Sequence, residues 1–231
     1  MSEDGEALAA GTRVCVYCAS SKTCAAHFHE AAYQLGRDLA GAGLTVVYGG
    51  GRVGSMGALA AGVLDAGGRI VGVIPRFMQD LEWGHGGLSE LHVVEDMRTR
   101  KHQMLARSGA VVALPGGTGT LEELLEALTL KRLGLFSGPI VLVNTAGFYS
   151  HLVALLEAAI EQRFMDPRHR AMWQMVSGPG EVIDALARAT TDHDPEHEAV
   201  VVREDAISFT VSIERHDQSE AVGAINWSPV N

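Results

Sequence analysis

Apolar residues in this chain cluster in short unbroken runs, separated by longer stretches where they recur every three or four positions. Val14-Cys15-Val16-Tyr17, Thr45-Val46-Val47-Tyr48, Ile70-Val71-Gly72-Val73-Ile74, Ala110-Val111-Val112-Ala113-Leu114 and Ile140-Val141-Leu142-Val143 have the length and composition of strands buried on both faces. His92-Val93-Val94 and Met175-Val176 predict two shorter strands. The intervening segments Ala25 to Ala42, Gly54 to Ala66, the stretch around Arg100, Leu121 to Leu130, Tyr149 to Arg163 and Pro179 to Ala189 carry helical periodicity or composition. Pro75 closes the third strand, and Arg76 to Glu90, with Trp83 and His85, has little periodicity and reads as a loop near a site. This alternation predicts an α/β fold: a doubly wound, mostly parallel sheet of the Rossmann-like, nucleotide-binding kind, with helices on both faces.

The pattern changes after Asp192. An acidic, turn-forming linker, Asp192-His193-Asp194-Pro195-Glu196, precedes three alternating or β-branched runs from Ala199 to Arg203, Ala206 to Arg215 and Ala221 to Trp227. They predict a small antiparallel meander. The expected partition is a sheet domain over 13–190 and a linker with a β-rich C-terminal extension over 191–231.

Chemistry concentrates in Leu114-Pro115-Gly116-Gly117-Thr118-Gly119-Thr120-Leu121-Glu122-Glu123. A buried strand runs into a glycine turn and then a helix. Glycines let the backbone approach a ligand, and free N–H groups at a helix start favour an anion, best a phosphate. Thr118 or Thr120 can cap that helix. A glutamate pair one turn later is awkward beside an anion unless it does chemistry or a cation neutralises it. Met97-Arg98-Thr99-Arg100-Lys101 supplies such cations.

Met97-x-x-Arg100-Lys101 together with Pro115-Gly116-Gly117-x-Gly119-Thr120-x-x-Glu123 resembles the Lonely guy (LOG) family of cytokinin riboside 5′-monophosphate phosphoribohydrolases. The resemblance runs from about Val14 to Ala189. It includes Cys18-Ala19-Ser20-Ser21, Tyr48-Gly49-Gly50-Gly51 with Gly54-Ser55-Met56-Gly57, and Gly147-Phe148-Tyr149. It implies cleavage of the N-glycosidic bond of adenosine or an N6-substituted adenosine 5′-monophosphate, without metal or cofactor. It also implies a homodimer in which helices near Glu123 pack across a two-fold axis.

By the same resemblance Arg100 and Glu123 are the catalytic residues. Lys101, Gly117, Thr118, Gly119, Thr120, Leu121, Glu122 and Thr129 would contact substrate, with Glu82 of the irregular loop holding the base. Ser20, Gly50 and Gly51 stand at predicted strand ends where a nucleotide would be approached. Arg100 is expected to keep Glu123 ionised by lowering its pKa. Plainer readings stand beside these. Glu123 follows Thr120 at capping-box spacing, Thr129 is an ordinary helix threonine, and the Gly49 to Gly57 turn can serve tight packing alone. Cys15-x-x-Cys18 lies on a strand whose i and i+3 positions face opposite ways, so buried structural thiols are expected, not a metal pair.

Plant-type members have Trp-Ala-Gln where this chain has Leu130-Lys131-Arg132, and often an aromatic at the position of Thr118, so both AMP and prenylated nucleotides stay open. A non-catalytic nucleotide or cofactor carrier on the same fold is the alternative, and it would keep the glycine turns while losing Glu123 or Arg100. Lysine decarboxylation is a weaker one, since it needs a lysine free to bind pyridoxal phosphate.

At 47% apolar and 20% charged, 231 residues suit a globular domain with its own core. A formal net charge of −10 argues against a nucleic-acid polymer as partner but not against a nucleotide. Met1 to Thr12 is small and acidic, unlike a signal peptide, and no apolar run reaches the ~18 residues of a membrane span. A soluble, cytoplasmic protein is expected.

Overall fold

The computed structural model describes residues 8–80 and 85–191. Seven strands form one parallel sheet: β1 (Arg13–Tyr17), β2 (Thr45–Tyr48), β3 (Arg69–Pro75), β4 (Glu90–Val94), β5 (Ala110–Ala113), β6 (Ile140–Val143) and β7 (Gln174–Val176), in the order β4-β3-β2-β1-β5-β6-β7. β1 is central. It pairs with β2 through Val16↔Tyr48 and with β5 through Tyr17↔Ala113. The chain leaves β1 in one direction and later crosses to β5 in the other. The carboxyl ends of β1 and β5 therefore border the crevice where doubly wound sheets bind ligands.

Strand alternation divides the core in two. Val14, Val16, Val112 and Leu114 point to one face, under α1 (Ala26–Gly41), α2 (Gly54–Asp65) and α7 (Val182–Thr191). Cys15, Tyr17, Val111 and Ala113 point to the other, under α4 (Met97–Ala106), α5 (Thr118–Arg132) and α6 (Ser150–Glu161). Both faces are fully covered, which is why the strands read as continuous apolar runs. Cys15 and Cys18 belong to opposite clusters, as the strand geometry required, and both are buried; neither they nor the half-buried Cys24 form a disulfide.

The stretch read as a loop from Arg76 opens instead with a short helix, α3 (Arg76–Asp80), directly after Pro75. Pro75 is the last residue of β3, opposite Val94 of β4; it has no N–H to donate, and its fixed φ suits the approach to a helix. The far end of the loop returns to the site edge, where the His85 N–H donates to Gly50 O at 3.0 Å. Glu82, the linker after Thr191 and the β-rich meander lie outside the described residues. Among the described residues no helix is long and apolar enough to cross a membrane.

Candidate active site

Two local decisions build the site. Asp96 caps α4, its carboxylate accepting from the Thr99 N–H at 2.7 Å. This fixes the first turn, so Arg100 points inward while Arg98 stays exposed. At α5 the N-cap is Gly117 in extended conformation, with no side-chain hydrogen bond. The expectation of a threonine cap is thus corrected: Thr118 and Thr120 are already inside the helix. Thr120 is buried, and the capping-box reading of Glu123 falls with it. Without a side-chain cap, the first-turn N–H groups stay available to an anion. The turn is open to approach, since a side chain at Gly117 or Gly119 would meet nothing within 4 Å.

Arg100 and Glu123 meet from these two helices. Arg100 Nη1 donates to Glu123 Oε1 at 3.1 Å, and each side chain is about 95% withdrawn from solvent, at 6% and 5% exposure. Arg100 is held twice more by backbone: Nε donates to Val73 O at 3.1 Å and Nη2 to Gly49 O at 3.2 Å. One guanidinium thus ties the carboxyl ends of β2 and β3 to α5. Such pairs are costly to bury and are tolerated when the remaining donors are satisfied.

The electrostatic outcome reverses one expectation. Burial pushes the Glu123 carboxyl up to about 7, outweighing the opposing pull of Arg100; Glu122 and Glu126 add to the rise. The guanidinium moderates the shift but does not bring the acid into the usual carboxylate range. Cys15 and Tyr17 lie on the same face, and their own ionisation is pushed up by burial first and by the Glu123 charge second or later.

Lys101 turns outward. Its ammonium pairs with Glu122 and, at 2.9 Å, with Glu126, and the Glu122 hydrogen bond is the main reason its pKa lies above the ordinary lysine value. Glu126 therefore shares the cation with Glu122. These residues line an open groove of about 520 Å³ with Thr118, Leu121, Leu125 and Thr129. Lys101, Thr118, Leu121, Glu122 and Thr129 of the expected substrate contacts are brought together there, while Arg100 and Glu123 do not line it. The Thr129 hydroxyl donates within its own helix, to Leu125 O at 2.8 Å. Ser20 is exposed on the loop after β1, and Gly50 and Gly51 follow β2, along the same carboxyl edge as Gly49.

Sequence reasoning passed over Asp96, the Val73 and Gly49 carbonyls, and Tyr149. The Tyr149 hydroxyl, fully buried, donates to Leu114 O at 2.8 Å and pins the end of β5 just before the glycine turn. The Gly147-Phe148-Tyr149 motif carried that signal without its reason.

The arrangement does not fit pyridoxal chemistry. Lys101 is tied to two carboxylates. Lys131, the one lysine that burial makes easier to deprotonate, donates to Ser137 O and Gly138 O at 3.1 and 2.7 Å. It sits thirteen residues down α5 from Thr118, roughly 20 Å at helical rise, so it is remote from the glycine turn. Lys22 lies exposed on the loop after β1. Among the described residues no group of three or more His, Cys, Asp or Glu side chains is placed to hold a metal ion.

A family model described as "possible lysine decarboxylase" matches residues 56–186. A cytokinin riboside 5′-monophosphate phosphoribohydrolase of Arabidopsis thaliana is 38% identical over 188 residues, covering 81% of this chain and 86% of its own. A probable enzyme of the same name from Oryza sativa subsp. japonica is 38% identical over 189 residues, covering 82% and 76%. Among solved structures, the molybdenum cofactor binding protein of Rippkaea orientalis superposes with a TM-score of 0.61 at 22% identity, covering 78% of this chain and 98% of that one; this likeness is one of fold. The match to the plant enzymes extends over most of both chains, and on that ground this chain belongs to the LOG family of cytokinin riboside 5′-monophosphate phosphoribohydrolases.

Proposed function

We propose that this chain hydrolyses the N-glycosidic bond of a purine nucleoside 5′-monophosphate, adenosine or N6-substituted adenosine, to free base and ribose 5-phosphate. The observation that carries the reading is the buried Arg100–Glu123 pair one turn inside a helix whose start is left uncapped behind a glycine turn. Breaking the bond leaves a ribosyl cation with charge near C1′. The base departs with the bonding electron pair on its ring nitrogen. The Glu123 carboxylate, when ionised, stabilises the charge at C1′ and takes a proton from the water that adds there. One proton ends on the departing base, so that free base and ribose 5-phosphate balance the water consumed. Arg100 holds the carboxylate in place and favours its ionised form against burial. The 5′-phosphate binds the first-turn N–H groups of α5, and its binding energy positions the sugar.

A carrier on the same fold has no use for a buried acid of this kind, whose charge is costly to maintain, and the pair favours the enzyme. A homodimer is part of the proposal. Leu125, Leu133 and Leu135 are 42%, 50% and 67% exposed on and just after α5, while Leu124 and Leu128 fill the core. Leu125 also lines the open groove, so a second copy packed on α5 would close it. Unpaired thiols at all three cysteines support a reducing, cytoplasmic setting.

Product analysis with AMP, isopentenyladenosine monophosphate and the matching nucleosides tests the reading. Free base and ribose 5-phosphate should appear from the monophosphates, with most activity lost on the nucleosides. Equal rates on nucleoside and nucleotide would remove the role given to the glycine turn.

A further inference from the structure

Position 49 is glycine for a reason the backbone does not supply. Its φ lies outside the left-handed region, so any residue could adopt the conformation. Space is what a side chain would lack. A Cβ there would stand 1.9 Å from Arg100 Nη2 and 3.0 Å from Cζ, with Met56 Cε next at 3.1 Å. The two nearest atoms belong to the end of a flexible side chain, which can move away and leave the strand intact. That end is also the group that donates to Gly49 O and Glu123 Oε1.

We propose that Gly49, which brings no side chain to the site, is a positioning residue for the reaction: its missing Cβ admits the Arg100 guanidinium to the carboxyl end of β2 and so sets its contact with Glu123. The inference rests on the reading of Glu123 as the reacting carboxylate. A methyl group at position 49 displaces the guanidinium, the cation that opposes burial is drawn away, and Glu123 becomes harder to ionise. The other groups electrostatically linked to Glu123 stay in place: Lys101 from α4, Glu122 and Glu126 from its own helix, and Cys15, Tyr17 and Cys18 from β1 and its end.

The test is the titration of Glu123 itself, followed by the carboxyl resonance of ¹³C-labelled glutamate and assigned by its loss in Glu123→Gln. In Gly49→Ala the midpoint should rise by ~0.5–1 unit, with the acid limb of kcat/KM moving the same way, KM nearly kept, and the rate at neutral pH falling roughly two- to fivefold. In an Arg100→Lys background, whose shorter side chain lacks the fork, Gly49→Ala should add almost nothing. An unmoved midpoint in a folded Gly49→Ala protein would overturn the proposal, as would the same loss in both backgrounds. Should Gly49→Ala not fold, adding Met56→Ala removes the other flexible neighbour and leaves the Arg100 clash. If that variant also failed to fold, the glycine would serve the fold alone and the proposal would fall. A wild type that cleaves no nucleotide would sink the enzymatic reading, while the titration would still decide whether Gly49 acts through Arg100.

Discussion

Replacing Glu123 by Gln should make the protein more stable at alkaline pH while removing its chemistry. Gln has the same shape and keeps a carbonyl oxygen for Arg100 Nη1, but it carries no charge. Burial raises the carboxyl from 4.5 to about 7 in the folded protein. The folded state therefore binds more protons than the unfolded chain between those values, so the wild type loses stability as pH rises through this window. At 1.36 kcal/mol per unit the loss is about 3 kcal/mol above pH ~8, and little of it is screened because the side chain is 5% exposed. Below pH ~4.5 both states are protonated and the term vanishes. Urea unfolding of both proteins at equal concentration, from acid to alkaline pH, reads it out because titrations not linked to Glu123 cancel in the difference, and the linked Cys15 and Tyr17 stay protonated across this range. The variant should gain on the wild type by about 3 kcal/mol across that range. A difference that stays flat, or turns against the variant as pH rises, would mean that the Arg100 pair outweighs burial and that Glu123 ionises as an ordinary surface acid.

Arg100→Ala should move the acid limb of kcat/KM above the wild-type value and cut the rate at neutral pH by at least ~10-fold, since burial of Glu123 is then unopposed; an unchanged limb would assign the ionisation to another group. Leu125→Asp should convert a dimer to the 24.5 kDa chain by light scattering, and a wild type that is itself a stable monomer at micromolar concentration would end the dimer proposal. Truncation at Asp194 should leave kcat on AMP within about twofold while lowering the melting temperature or altering assembly, because the runs beyond it hold none of the site residues; loss of activity by a folded, still dimeric truncation would place the tail at the site.

Much of the sheet was readable because both its faces are covered. Such strands are continuous apolar runs, and Val14–Tyr17 and Ile140–Val143 were recognisable at nearly their observed length. Helix starts were less legible. Thr118 and Thr120 are good capping residues in isolation, yet the turn places Gly117 at the cap, and the chain thereby gives up a local hydrogen bond where an anion can bind. The Arg100–Glu123 contact was available only through the family pattern, because the residues sit on two successive helices with a whole strand between them in sequence. The sign of the Glu123 shift was not available at all. A nearby cation and complete burial act in opposite directions, and only their relative depth decides. Gly49 was hidden for a related reason, since glycine in a turn ordinarily signals backbone conformation and here it signals room for a distant side chain.

The central claim is that the Glu123 carboxylate carries out the bond cleavage in a site that binds the nucleotide by other groups. Single-turnover release of ribose 5-phosphate, measured beside calorimetric nucleotide binding for wild type and Glu123→Gln, tests it directly. The account predicts a variant that binds AMP within about threefold of wild type and turns over at less than ~1% of its rate, the scale of loss expected when a charge-stabilising group is removed. A variant that binds as well and retains more than about a tenth of the wild-type rate would contradict it.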